Sequence, residues 1–186
     1  MSAGAAAIAD AFALKALDRA GWLRVGVARP ESVAAHSWGV ALLCLLTAPP
    51  HLDRGRLLAY AILHDLAEAR TGDLTPHDGV PRDVRHHNEA AAMRALCASL
   101  PNGAEIEAIW WAYERQQDEE SRFVKQLDRL DMATQAAVYA AVSGDPAPFR
   151  AFLASADPVV RDPSLRPLLE AAGHQVAYDS APNPTA

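Results

Sequence analysis

Proline placement constrains this 186-residue chain more than any other feature. Proline lacks the amide proton and its ring clashes with the preceding turn, so it starts helices but breaks their interiors. Proline-free stretches run over 1–29, 31–48, 51–75, 82–100 and 102–145, and the prolines fall between and after them. Inside those stretches apolar residues recur at helical spacing: Leu58, Ile62 and Leu66; Met93, Leu96 and Leu100; Ile106, Ile109 and Tyr113; Phe123, Leu127, Leu130 and Thr134. Alanine is abundant and alternating runs are scarce, which favours helix over strand. The pattern predicts helices near 4–20, 31–47, 54–70, 83–100, 103–117, 120–143, 146–155 and 164–172. Asn102-Gly103 and Gly144 read as stops or caps. With no repeat or linker, the expectation is one all-α helical-bundle domain of about six to eight helices over 1–175. Residues 176–186, ending Pro-Asn-Pro-Thr-Ala, read as a flexible tail.

Composition narrows the function classes. At 51% hydrophobic and 22% charged residues the chain is too apolar for disorder. Its net charge of −6 argues against nucleic acid as a partner. Cys44 and Cys97 cannot build a disulfide framework, lack metal-pair spacing and read as buried thiols. No apolar run reaches the roughly 18 residues of a membrane span. Met1–Asp10 has no early Lys or Arg and does not read as a secretory signal, so the expected location is cytoplasmic.

The chemistry concentrates in His64-Asp65-Leu66-Ala67-Glu68, within the helix expected over 54–70. His64 and Glu68 are one turn apart on one face, and Asp65 sits one residue round. Leu58, Ala61, Ile62 and Leu63 precede them, so three ionisable groups enter a buried helix and need a compensating partner. His36 in the second helix and Asp128 between Leu127 and Leu130 interrupt apolar faces in the same way. His36, His64, Asp65 and Asp128 form a mixed N and O donor set suited to Mn, Fe, Co, Ni or Zn.

Several blocks in one collinear order, across roughly 20–135, resemble the HD-domain metal-dependent phosphohydrolases. They are Gly21-Trp22, Pro30 to Trp38 around His36, His64-Asp65-Leu66-Ala67-Glu68 with Thr71-Gly72-Asp73, Tyr113-Glu114, and Phe123 to Asp128. The resemblance is strongest to the 5′-deoxynucleotidase subgroup, which removes phosphate from deoxynucleoside monophosphates. It implies one divalent metal ion (Co, Mn, Fe, Ni, Zn or Mg) on His36, His64, Asp65 and Asp128. It also implies that Glu68 moves a proton or orients the attacking water, that Asp73 holds the sugar or assists the leaving group, and that Trp22 borders the nucleoside. Relatives are commonly dimeric, so a homodimer is expected. This chain departs from the family in carrying Ala35, not an acid, before His36.

A phosphate dianion needs further positive charge, and Arg24, Arg29 and Lys125 are the basic residues nearest these motifs. Bland alternatives stand beside each assignment: Glu68 paired with Arg70, Asp73 as a turn residue, Trp22 as core, and Lys125 paired with Glu114. Trp110-Trp111 reads as helix packing or a dimer contact. His86-His87 reads as an exposed helix start, since no further histidine precedes Asp128 to complete a two-metal set. The expected activity is hydrolysis of (deoxy)nucleoside 5′-monophosphates. The alternatives are a specialised nucleotide or longer phosphate chain as substrate, or a non-catalytic nucleotide sensor.

Overall fold

The helices form where proline and capping residues allow. In a computed structural model, which describes residues 2–178, they follow in order: α1 (Ala3–Phe12), α2 (Ala20–Arg24), α3 (Val33–Thr47), α4 (Arg54–Leu63), α5 (Glu68–Thr71), α6 (Arg82–Cys97), α7 (Gly103–Glu114), α8 (Glu119–Ser143), α9 (Arg150–Ala156) and α10 (Arg166–Tyr178). Among the described residues the only β-type pairing is an isolated bridge between Asp18 and Ser32. Residues 176–178 belong to α10, and the rest of the expected tail, 179–186, lies outside the described residues.

Polar side chains set the starts. Ser32, Asp53 and Asp118 accept the backbone N–H groups of Ala35, Arg56 and Ser121, three residues on. Asp118 and Ser121 form a reciprocal capping box at the start of α8. Gly144, at φ +69°, closes that helix in the left-handed conformation that glycine adopts freely.

α8 is the axis of the bundle. Phe123, Val124, Leu127 and Leu130 on its first half pack against Val40 and Cys44 of α3, Leu57, Tyr60 and Ala61 of α4 and Tyr113 of α7. Its second half packs Met132, Ala136 and Ala140 against Trp22, Phe149 and α10. A third apolar cluster joins Leu14, Val33, Leu66, Met93, Leu96 and Trp110. Cys44 and Cys97 are buried free thiols.

Two expected helices are broken, and both breaks have visible causes. The segment expected over 4–20 leaves the helix after Lys15. There the Arg19 N–H bonds the Glu31 carbonyl and the Val33 N–H bonds the Leu17 carbonyl, drawing 17–19 against the start of α3. Asp73 then accepts the Ala20 N–H at 2.7 Å and seeds the short α2. The segment expected over 54–70 stops at Leu63. The N–H groups of Leu66, Glu68, Ala69 and Arg70 turn to carbonyls three residues back, a tighter winding than α.

Replacing Asp118 by Ala removes the α8 cap and the acceptor of the Tyr60 hydroxyl, which donates at 2.6 Å. Chemical denaturation should show a loss of about 1–2 kcal/mol with an unchanged denaturant slope.

Candidate metal centre

Four side chains from three separate stretches of chain converge near the middle of the bundle. His36 comes from the first turns of α3, His64 and Asp65 from the end of α4, and Asp128 from the third turn of α8. The Nε2 atoms of His36 and His64 are 3.3 Å apart. Asp65 Oδ2 lies 3.1 Å from His64 Nε2 and 3.7 Å from His36 Nε2, and Asp128 Oδ1 lies 3.3 Å from His36 Nε2. His36 is wholly buried and His64 nearly so.

The outer ring nitrogens are held. His64 Nδ1 is 2.9 Å from the Ala61 carbonyl, which can only accept, so Nδ1 is the protonated nitrogen. His36 Nδ1 is 2.7 Å from Asp131 Oδ2. Both inner nitrogens are therefore presented to one point. The tight turn after Leu63 aims His64 and Asp65 there together, and the buried Trp110 indole donates to the His64 carbonyl at 3.2 Å, bonding the backbone where the helix ends.

Charge at this point is dominated by carboxylates. Burial opposes ionisation of Asp65, yet His64 and Arg19 hold it well below the usual carboxylate range. Burial likewise opposes ionisation of Asp128, and Lys125 and His36 hold it down. Burial and the charge of Arg19 work against a proton on His36, but Asp128 and Asp131 outweigh them and raise it to about 9. Burial, then Asp65 and Asp73, push Glu68 up to about 10. Glu68 Oε2 and the Tyr113 hydroxyl are buried and make no hydrogen bond within the protein. A buried carboxylate-rich cluster with two facing imidazole nitrogens and unpartnered polar atoms fits a divalent cation. His36, His64 and Asp65 group closely enough to share one ion, with Asp128 beside His36.

This geometry has relatives. The protein-family signature described as HD domain matches residues 11–158. The chain belongs to the HD-domain family. It is 39% identical over 135 residues to the 5′-deoxynucleotidase HDDC2 of Bos taurus, a match that spans 72% of this chain and 66%, just under two thirds, of the bovine protein. A conserved hypothetical protein from Pyrococcus furiosus shares 32% identity at a TM-score of 0.73, covering 90% of this chain and 98% of that one. A structure titled predicted metal-dependent phosphohydrolase, from Magnetospirillum magnetotacticum, shares 26% identity at a TM-score of 0.68, covering 96% and 94%. HD domains are metal-dependent, and the His/Asp cluster of this one could hold the ion.

The cluster of this HD domain opens into a cavity of about 1120 Å³. His64, Asp65, Asp128, Glu68, Asp73, Trp22, Arg24 and Lys125 all contribute to its wall, whereas Arg29 is exposed and absent from it. Trp22 is both wall and core: it is 1% exposed, stacks on Phe152 at 4.1 Å and donates to Glu31. Arg24 pairs with Asp78 at the rim. Lys125 pairs with Asp128 at 2.8 Å, not with Glu114. His86 is not the exposed helix start of the sequence reading; it is half-buried beside Trp110 and Trp111 and pairs with Glu114.

Two neighbours of the centre were absent from the sequence reading. Arg19 lies 3.4 Å from Asp65 and 3.7 Å from Asp73; burial alone would lower its pKa, but these carboxylates raise it and keep it charged. A helix expected to run through residue 20 hid it. Asp131 carried a readable signal, since it is three residues from Asp128 on one helix face, between the apolar Leu130 and Met132.

On the cavity wall, burial and then Glu114 raise Glu89 to about 7. Its folded pKa exceeds the unfolded value, so folding favours the neutral acid and stability falls as pH rises from about 4.5 through 7. A Glu89→Gln protein should melt higher than the parent at pH 8 and close to it at pH 5, by calorimetry at both values.

Proposed function

We propose that this HD domain is a metal-dependent phosphomonoesterase that releases phosphate from (deoxy)nucleoside 5′-monophosphates. The observation that carries this reading is the paired-imidazole centre opening into a cavity with room for a nucleotide and with the half-buried Arg19 beside it. The bovine relative named as a 5′-deoxynucleotidase supports the substrate class.

His36, His64, Asp65 and Asp128 would hold the cation. When bound, it supplies positive charge for phosphate oxygens and makes water a nucleophile near neutral pH. Arg19 binds a phosphate oxygen through its guanidinium, whose position Asp65 and Asp73 fix. Lys125, beside Asp128, adds a second positive charge at the same wall. Glu68 orients the attacking water and exchanges its proton through the unpartnered Oε2. Asp73 acts by holding the Ala20 N–H, and so the start of α2, which carries Trp22 and follows directly on Arg19. The Trp22 face of the cavity borders the nucleoside, Arg24 closes the rim, and Arg29 on the neighbouring exposed loop contributes only long-range charge.

The cavity exceeds the roughly 300–1,000 Å³ typical of small-molecule sites, and Arg82 lies on its wall. Those features favour a second reading, in which a longer phosphate chain or a specialised nucleotide is the substrate. A phosphate-release panel of nucleoside mono- and triphosphates with Mn, Co, Mg, Zn or Fe separates the two. Chelation should abolish turnover and a divalent ion restore it, and Asp65→Ala should lose metal and nearly all turnover. A metal-loaded protein inert across the panel would leave the nucleotide-sensor alternative.

The protein acts as a cytosolic homodimer in this reading. No helix among the described residues is long and apolar enough to cross a membrane. Trp38 (67% exposed), Leu42, Leu45 and Leu46 (71% exposed) form an apolar stripe along α3, which supports a second copy as its cover. Light scattering should give twice the 19.9 kDa chain mass, and Leu46→Glu should halve it; a monomeric parent protein removes the dimer.

A further inference from the structure

We propose that Asp131 is the residue that positions His36, and that the bare Cα of Gly39 is what allows its carboxylate to reach the ring. The proposal rests on the metal reading above and extends it to two residues outside the four-ligand set.

One face of α8 sets a carboxylate beside each nitrogen of the His36 imidazole. Asp128 Oδ1 lies 3.3 Å from Nε2, and Asp131 Oδ2, one helical turn later, lies 2.7 Å from Nδ1. An acceptor at Nδ1 keeps the proton there and turns the Nε2 lone pair to the shared centre. The second imidazole needs no side chain for this purpose, because His64 uses the Ala61 carbonyl. The direction of His36 is therefore the one that a single substitution can change.

Gly39 makes room. It lies one turn after His36 on α3, where a Cβ would overlap Asp131 Oδ1 and come within 3.1 Å of Cγ. A methyl group at 39 therefore forces the carboxylate away from the ring, a displacement of the holder without any change in the ligands. Glu31 stands near the same ring, but the Trp22 indole donates to its carboxylate at 2.9 Å. Ala35, beside His36, has no polar group to offer. The acid on Nδ1 comes from α8, across the helix interface.

The test is Zn²⁺ affinity, by competition with a chromogenic chelator, on protein stripped and reloaded. Asp131→Ala and Gly39→Ala should each weaken binding by about 10–100-fold. If Gly39→Ala acts only through Asp131, the double variant binds no more weakly than Asp131→Ala alone. Asp131→Asn, which keeps the size and one acceptor oxygen, should recover part of the loss. Long-range ¹H–¹⁵N spectra of Zn²⁺-loaded protein should show the His36 proton on Nδ1, and Asp131→Ala should lose that pattern. Affinity within about two-fold of the parent in Asp131→Ala, or losses that add in the double variant, overturns the proposal. Should Asp131→Ala not fold, parent-like affinity in both Gly39→Ala and Asp131→Asn overturns it equally. A parent protein that takes up no ion sinks the metal reading instead, so the two failures are distinct.

Discussion

Two imidazole nitrogens facing each other at 3.3 Å are the constraint around which this bundle is arranged. Neither ring can turn away: one is tied to a backbone carbonyl and the other to a carboxylate of a different helix. Two lone pairs at that separation would repel; the proton that Asp128 and Asp131 hold on His36, or a cation in its place, relieves this, and burial removes water as a remedy. The fold accepts this arrangement at the crossing of α3, α4 and α8, beside the apolar cluster that these helices share.

The surrounding ionic pattern follows from that choice. Asp65, Asp73 and Asp128 crowd the centre, so Arg19 and Lys125 are drawn in as partners. Arg19 could not reach from a continuous first helix. Releasing 17–19 into an extended bridge with 31–33 places the guanidinium over Asp65, and Asp73 restarts the helix at Ala20. One carboxylate thus links Arg19 to the start of α2, the helix that carries Trp22.

Much of this was legible before folding. Proline spacing and apolar period located the helical segments, and polar residues on apolar faces picked out His36, His64, Asp65 and Asp128, which the structure brings together. The failures lie where tertiary contacts override local pattern. Nothing near Leu63 announces the break after it, because the Trp110 indole that takes the His64 carbonyl is 46 residues away. Arg19 was lost for the same reason, its position depending on Asp73 and Glu31. Arg29 was overvalued by proximity in sequence, which says nothing of the side on which a loop residue emerges. Asp131 was within reach of a one-turn rule applied to Asp128.

The sourcing of the central side chains from α3, α4 and α8 also bears on how long such a molecule lasts in a cell. An ion seated there would add a staple to three helices already joined by apolar packing and by the His36–Asp131 and Tyr60–Asp118 contacts, and ligand binding to the native state raises unfolding free energy by mass action. Molecules made during scarcity of that ion would open more often and meet proteases sooner. Abundance, and not only turnover rate, would then track the mineral supply.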